Sequence, residues 1–161
     1  MRKTLIALAL VTAAVTAVTF PVQAQVIGPV APVDPIVLDD SEGGQISTFL
    51  DFFKAIKASH VPVQIRGWCF SACTLVLMMP KEQLCVEPGA LFGFHLATTG
   101  GGFTSTPLPE ITQALYKRYM PAGVLAWLAT KTLTSDLSYL TADEAIGLDA
   151  VAACAPDDDR V

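Results

Sequence analysis

Residues 66–75 read RGWCFSACTL, with a single serine, Ser71, between Cys69 and Cys73 and the small residue Ala72 after it. What flanks this stretch decides the fold class. Upstream, VPVQIRG (61–67) is a short strand that stops at Gly67. Downstream, SACTLVLMM (71–79) is apolar on all sides, as a helix buried against a sheet would be, and Pro80 ends it. Ser71 therefore stands at a strand-to-helix junction, where free backbone N–H groups gather. Two uses of it are open: a nucleophile, or a small polar residue that caps the helix or fills the core.

Working outward, IVLDD (36–40) reads as a buried strand reaching the rim of a sheet, and Ser41-Glu42-Gly43-Gly44 as a tight turn. Ile46, Phe49, Leu50, Phe53 and Ile56 then recur at helical spacing, with Asp51, Lys54 and Lys57 on other faces, which predicts a helix from Gln45 to Ala58. His60 and Pro62 bracket a loop, and His60 reads as a surface residue. Short strands are expected at 83–86 and 90–94 around the Pro88-Gly89 turn, the second delivering His95 at its end. Thr98 to Pro109 is a glycine-rich loop, read either as a flap over a site or as a solvated connection. Helices are expected at 108–119, with Ile111, Leu115 and Tyr119 as its apolar stripe, and at 121–131, with Val124, Leu125, Trp127 and Leu128. Thr141-Ala-Asp-Glu144 has the form of a capping box that opens a short helix closing at Gly147. Strands alternating with helices predict an α/β layer architecture with partly parallel pairing.

The chain begins with two positive charges, Arg2 and Lys3, followed by an uncharged run from Leu5 to Phe20 and a small residue, Ala24. That is the form of a secretory signal peptide, here residues 1–24, and the run is shorter than the roughly 20 apolar residues of a bilayer span. Residues 25–35 form an extended, proline-rich lead-in, residues 36–154 a single domain, and residues 155–161 an acidic tail. Cleavage after Ala24 takes Arg2 and Lys3 from the ten basic residues, leaving eight against fifteen acidic ones and a net charge of −7. Such a balance argues against nucleic acid or an anionic membrane surface as a partner. Export to the periplasm or medium makes disulfides available to Cys69, Cys73, Cys85 and Cys154.

A serine hydrolase needs an exposed serine, a histidine to take its proton and backbone donors for the oxyanion. Ser71 and His95 suit the first two roles, Ala72 and the Gly43-Gly44 turn the third, and all lie on one rim of the predicted sheet. Each has an ordinary structural use as well: a cap, a core histidine, a turn. Zinc held by Cys69, Cys73, Cys85 and His95 is the rival use of the sulfurs, but an exported chain oxidises its thiols, and no metal or cofactor is expected. Disulfides fit better, with Cys85 joined to Cys69 or Cys73, or one of that pair joined to Cys154. A direct Cys69–Cys73 bond is the least favoured pairing, because residues four apart at such a junction rarely reach disulfide geometry.

The succession SEGG (41–44), helix, strand, GWCFSAC (67–73), buried helix and LCVEPGALFGFH (84–95) resembles the Clp-protease and crotonase (ClpP-like) superfamily, most closely its exported bacterial members with a C-x-S-A-C-T motif. In that family a strand ends in S-P-G-G and a later one leads into G-x-x-x-S, with a histidine beyond. Here Gly67 lies four residues before Ser71 and His95 lies 24 after it. LTADEAIGLD (140–149) is similar to the family's closing segment, so the likeness covers roughly residues 36–149. It implies a ClpP/crotonase-like layered sheet and helices, trimmed at the N-terminus or completed by a neighbouring copy in a homo-oligomer. It further implies Ser71 as nucleophile, His95 as base, and Gly44 and Ala72 as oxyanion donors. The family's aspartate falls in strict register on Leu137, with Asp136 one position away as the candidate orienter, and Glu42 replaces the family's proline. The activity implied is a peptidase acting on peptide or protein through an acyl-enzyme. The alternative is a ClpP-like binding or structural module of the periplasm without turnover. Thioester chemistry of the crotonase branch would need coenzyme A, which is not expected outside the cytoplasm.

Overall fold

The computed structural model describes residues 33–100 and 105–155. The expected signal peptide, the lead-in up to residue 32, residues 101–104 of the glycine-rich loop and the tail beyond residue 155 lie outside the described residues. The described chain is mixed α/β and is built on a six-stranded sheet.

β1 (Ile36–Ser41) leads through the Gly43-Gly44 turn into α1 (Ile46–Ser59), one residue from the predicted start. Phe53 and Ile56 bury the inner face of α1, with Phe49 and Leu50 half-buried beside them. β2 (Val63–Phe70) is the long central strand. One edge of it pairs with β1 in parallel, and the other pairs with β3 (Leu84–Val86) along residues 63–65 and with β4 (Leu91–Phe94) along residues 68–70.

Gly67 does not end the strand as the sequence suggests; it bends it. Its φ is +80°, and the register with β1 slips there, from Asp39 opposite Arg66 to Ser41 opposite Cys69. A side chain at Gly67 would collide with the Asp40 carboxylate, which accepts from the Trp68 N–H at 3.0 Å. The extra residue is a β-bulge, and the bend lets one strand pair with β3 and then with β4.

The segment predicted to be a buried helix is a run of 3₁₀ turns, Ser71–Met78, with Ala72 to Leu77 all buried. Its burial agrees with the sequence; its tighter winding does not. Thr98–Thr99 (β5) and Thr106–Pro107 (β6) form a small antiparallel pair at the two ends of the glycine-rich loop. α2 (Pro109–Tyr119) starts with proline in its first turn, where the missing N–H costs nothing. It buries Thr112 and Tyr116 and leaves Ile111 54 % exposed, so the predicted stripe is displaced by one position.

α3 (Ala122–Leu128) stops three residues short of expectation, because Thr130 and Lys131 donate three residues back, to Trp127 and Leu128. β7 (Ser138–Thr141), which sequence patterning does not reveal, runs antiparallel to β4. The capping box is present at α4 (Ala142–Gly147): Thr141 Oγ1 accepts from the Glu144 N–H at 3.2 Å, and the Glu144 carboxylate accepts from the Thr141 N–H at 2.8 Å. β8 (Ala152–Ala153), also unforeseen, closes the sheet against β3.

The disulfides correct the expected pairings. Cys69 bonds Cys73 directly, the pairing judged least favoured, and Cys85 bonds Cys154. The expectation failed on the turn between Cys69 and Cys73. Ser71 adopts a left-handed backbone there, and this folds the chain back until the two Cα atoms are 5.2 Å apart, within disulfide range. With all four sulfurs oxidised, none is available as a zinc ligand. Among the described residues no helix is long and apolar enough to cross a membrane.

Candidate active site

Three parallel strands, β1, β2 and β4, end on one rim of the sheet, the place where open α/β sheets collect ligands. Each delivers one part of the candidate site.

β2 delivers the serine. Phe70 is still extended, whereas Ser71 turns to φ +55°, a conformation that a residue with a Cβ adopts only when its surroundings impose it. Thr74 Oγ1 donates to the Ser71 carbonyl at 2.7 Å and closes the turn. The ring of Phe70 lies over Gly93 of β4, where a Cβ would come within 2.5 Å of it, so the strand end before Ser71 is pinned to its neighbour.

β1 delivers the glycine turn. Gly43, at φ +84°, presses against the serine turn: a Cβ there would collide with the Phe70 carbonyl oxygen and lie 2.9 Å from the Ala72 nitrogen. Only glycine fits this approach. The sequence offers the Gly43-Gly44 turn as a donor and the family likeness points to Gly44; the packing role of Gly43 has no local signature beyond the glycine pair.

β4 delivers His95, and α2 holds the segment that carries it. Tyr116 Oη donates to the His95 carbonyl at 3.1 Å, and Thr112 Oγ1 accepts from the Ala97 N–H at 2.8 Å while donating to the Leu108 carbonyl at 2.8 Å. Burial pushes the Tyr116 hydroxyl up to about 12, so it remains a donor across the neutral range. Neither residue stands out in the sequence. They fall four apart on one helix face, a spacing that an apolar-only search passes over because Thr112 is polar.

Ser71, Ala72, Gly44 and His95 line one cavity of about 670 Å³, together with Ile46, Leu75 and Leu115. No acidic or basic side chain other than His95 is among its described lining residues. Asp136 is not brought to the site. It is exposed, lies off the cavity, and its N–H donates to Thr134 Oγ1 at 3.0 Å. Leu137, at the strict family register, packs against Gly93. Among the described residues the buried His95 Nδ1 has no hydrogen-bond partner. The described residues hold no group of three or more His, Cys, Asp or Glu side chains arranged for a metal ion. No family model matches the chain, and no curated protein matches it either.

Proposed function

We propose that the protein is an exported serine hydrolase of ClpP/crotonase-like architecture, acting on peptide bonds. The observation that carries this reading is the meeting of Ser71 and His95 on one cavity with the Gly44 and Ala72 backbones. Ser71 Oγ attacks the scissile carbonyl carbon while His95 accepts its proton. The carbonyl oxygen, now negative, is held by the Gly44 and Ala72 N–H groups. Collapse of this intermediate breaks the C–N bond, and the amine leaves with the proton from His95. Water, deprotonated by His95, then attacks the acyl carbon, the ester bond to Ser71 Oγ breaks, and the serine oxygen takes the proton back from His95. A cavity whose described walls mix apolar and neutral polar side chains and include no Asp, Glu, Lys or Arg suits an uncharged segment of the substrate.

A fluorophosphonate probe tests this, because it labels an activated serine. Folded wild-type protein is expected to be labelled at Ser71 and Ser71→Ala not at all. His95→Ala is expected to lower the rate about 10²-fold or more, the usual contribution of a general base. Folded wild-type protein that is not labelled at Ser71 ends the hydrolase reading.

One observation favours a second reading, a binding module without turnover. Among the described residues His95 Nδ1 has no hydrogen-bond partner. In the serine-protease triad, loss of the carboxylate that orients the histidine lowers turnover about 10⁴-fold. Peptide binding to the cavity in the absence of labelling would identify this state.

A further inference from the structure

Ser71 lies midway between two cysteines that are bonded to each other and are both 0 % exposed. Cys69 belongs to the end of β2 and Cys73 to the first turn of the 3₁₀ run, so the bond bridges the backbone that Ser71 reverses. Among the described residues no side chain caps the start of that run. Around Ser71, at φ +55°, are the close approach of Gly43, the Thr74 hydroxyl on the Ser71 carbonyl, and the disulfide across the turn. The disulfide is covalent, where the other two are contacts.

The second disulfide is placed differently. Cys85–Cys154 ties β3 to the segment after β8, spans 69 residues, and lines a separate cavity of about 370 Å³ with Gln64 and Gln83. A bridge over a long loop restricts the unfolded chain far more than one over four residues, so the two bonds differ in what they contribute. The long bridge serves the fold. The short one adds less to global stability, yet it encloses the residue with the imposed backbone.

We propose that the Cys69–Cys73 disulfide is a positioning element of the site. It holds Ser71 in the left-handed turn that presents Ser71 and the Ala72 N–H to the cavity, and without it the turn relaxes. The inference rests on the reading of Ser71 as the nucleophile, and it is tested by two measurements on two variant pairs.

The first is the rate of fluorophosphonate labelling against probe concentration. In Cys69→Ala/Cys73→Ala the maximal rate is expected to fall at least tenfold, with the half-saturating concentration within twofold of wild type. In Cys85→Ala/Cys154→Ala the thermal midpoint falls further, but labelling of the folded protein stays at the wild-type rate. The second measurement is hydrogen exchange at the backbone amides of positions 72 and 73, which is independent of chemistry. It is expected to speed up at least tenfold in the first pair and to be unchanged in the second.

Wild-type labelling kinetics in the first pair, or a loss of labelling in both pairs that follows the thermal midpoint, would overturn the proposal. Wild-type protein that fails to label counts against the hydrolase reading alone. The exchange measurement then decides the positioning role: faster exchange confined to the turn supports it, and unchanged exchange overturns it. Should the first pair not fold, Cys69→Val/Cys73→Ala, which refills part of the buried sulfur volume, takes its place. Folded molecules lacking only Cys69–Cys73 are expected to label at least tenfold more slowly, and labelling at the wild-type rate overturns the proposal.

Discussion

The Cβ that Gly43 lacks would lie 2.7 Å from the Cβ of Ser71. The end of β1 is therefore fitted against the serine turn at the end of β2, and one methyl group would force them apart. Gly43→Ala would also place an alanine at φ +84°. Overpacking and left-handed backbone together cost about 2 to 4 kcal/mol. Denaturant midpoints should report that loss, and fluorophosphonate labelling of the remaining folded protein should fall sharply. Unchanged labelling would show that the serine turn tolerates displacement.

Asp136 gives a prediction of the opposite sign. Its carboxylate is exposed and Asp136 does not line the cavity that holds His95, so Asp136→Asn is expected to leave the labelling rate at Ser71 within twofold of wild type. A loss approaching the 10⁴-fold seen when a triad aspartate is disabled would mean that the loop carrying Asp136 closes onto His95 during reaction.

Much of this arrangement was legible in the sequence, and the parts that were not share a cause. Periodicity located α1, β2 and α4 because their signals are local: an apolar stripe, a short strand, a capping box. β7 and β8 were missed because two to four residues are too few to set a period, and their pairing with β4 and β3 is a long-range event. Gly67 reads as a stop in the sequence because a glycine that bends a strand and one that ends it look alike until the partner strand is known. Sequence spacing disfavours the Cys69–Cys73 bond for a related reason, since the positive φ of Ser71 that permits it is a tertiary property. Ser71, His95 and Gly44 could be placed on one rim because parallel strands end together. Tyr116 and Thr112 could not, since nothing local marks a helix residue that holds another segment's backbone.

The two disulfides should separate in stability measurements. By loop-closure entropy, a bridge across 69 residues contributes about 4 kcal/mol and one across four residues about 2 kcal/mol. Cys85→Ala/Cys154→Ala should thus lower the thermal midpoint roughly twice as far as Cys69→Ala/Cys73→Ala. The reverse order would show that the short bridge stabilises the native turn by more than its entropy.

The capping box offers a local test of α4. Thr141→Ala removes the acceptor for the Glu144 N–H and should cost about 1 kcal/mol. The Thr141 N–H and hydroxyl both donate to Glu144 and hold its carboxyl below the usual range. A lowered folded-state value means that this contribution is present above the unfolded carboxylate value and is lost as pH falls through the folded one. The wild-type advantage over Thr141→Ala should therefore shrink in acid, as urea midpoints between neutral pH and pH about 3 would show.

Tyr116 makes the opposite case at alkaline pH. Its hydroxyl is pushed up to about 12 by burial, from an ordinary value near 10. The native state then keeps a proton that the unfolded chain releases, so stability is complete below the unfolded value and falls as pH rises from 10 towards 12. Two units correspond to about 3 kcal/mol, lost across that window. Tyr116→Phe forfeits the hydrogen bond to the His95 carbonyl, about 1 kcal/mol at neutral pH, but has nothing to titrate there. Wild type should accordingly be the more stable at pH 7, and the difference should close or reverse by pH 11 to 12. Urea midpoints of both proteins at pH 7, 9 and 11 would test it. Parallel pH profiles would show that Tyr116 is ionised as readily in the native protein as in the unfolded chain, and hence that α2 does not seal it against β4.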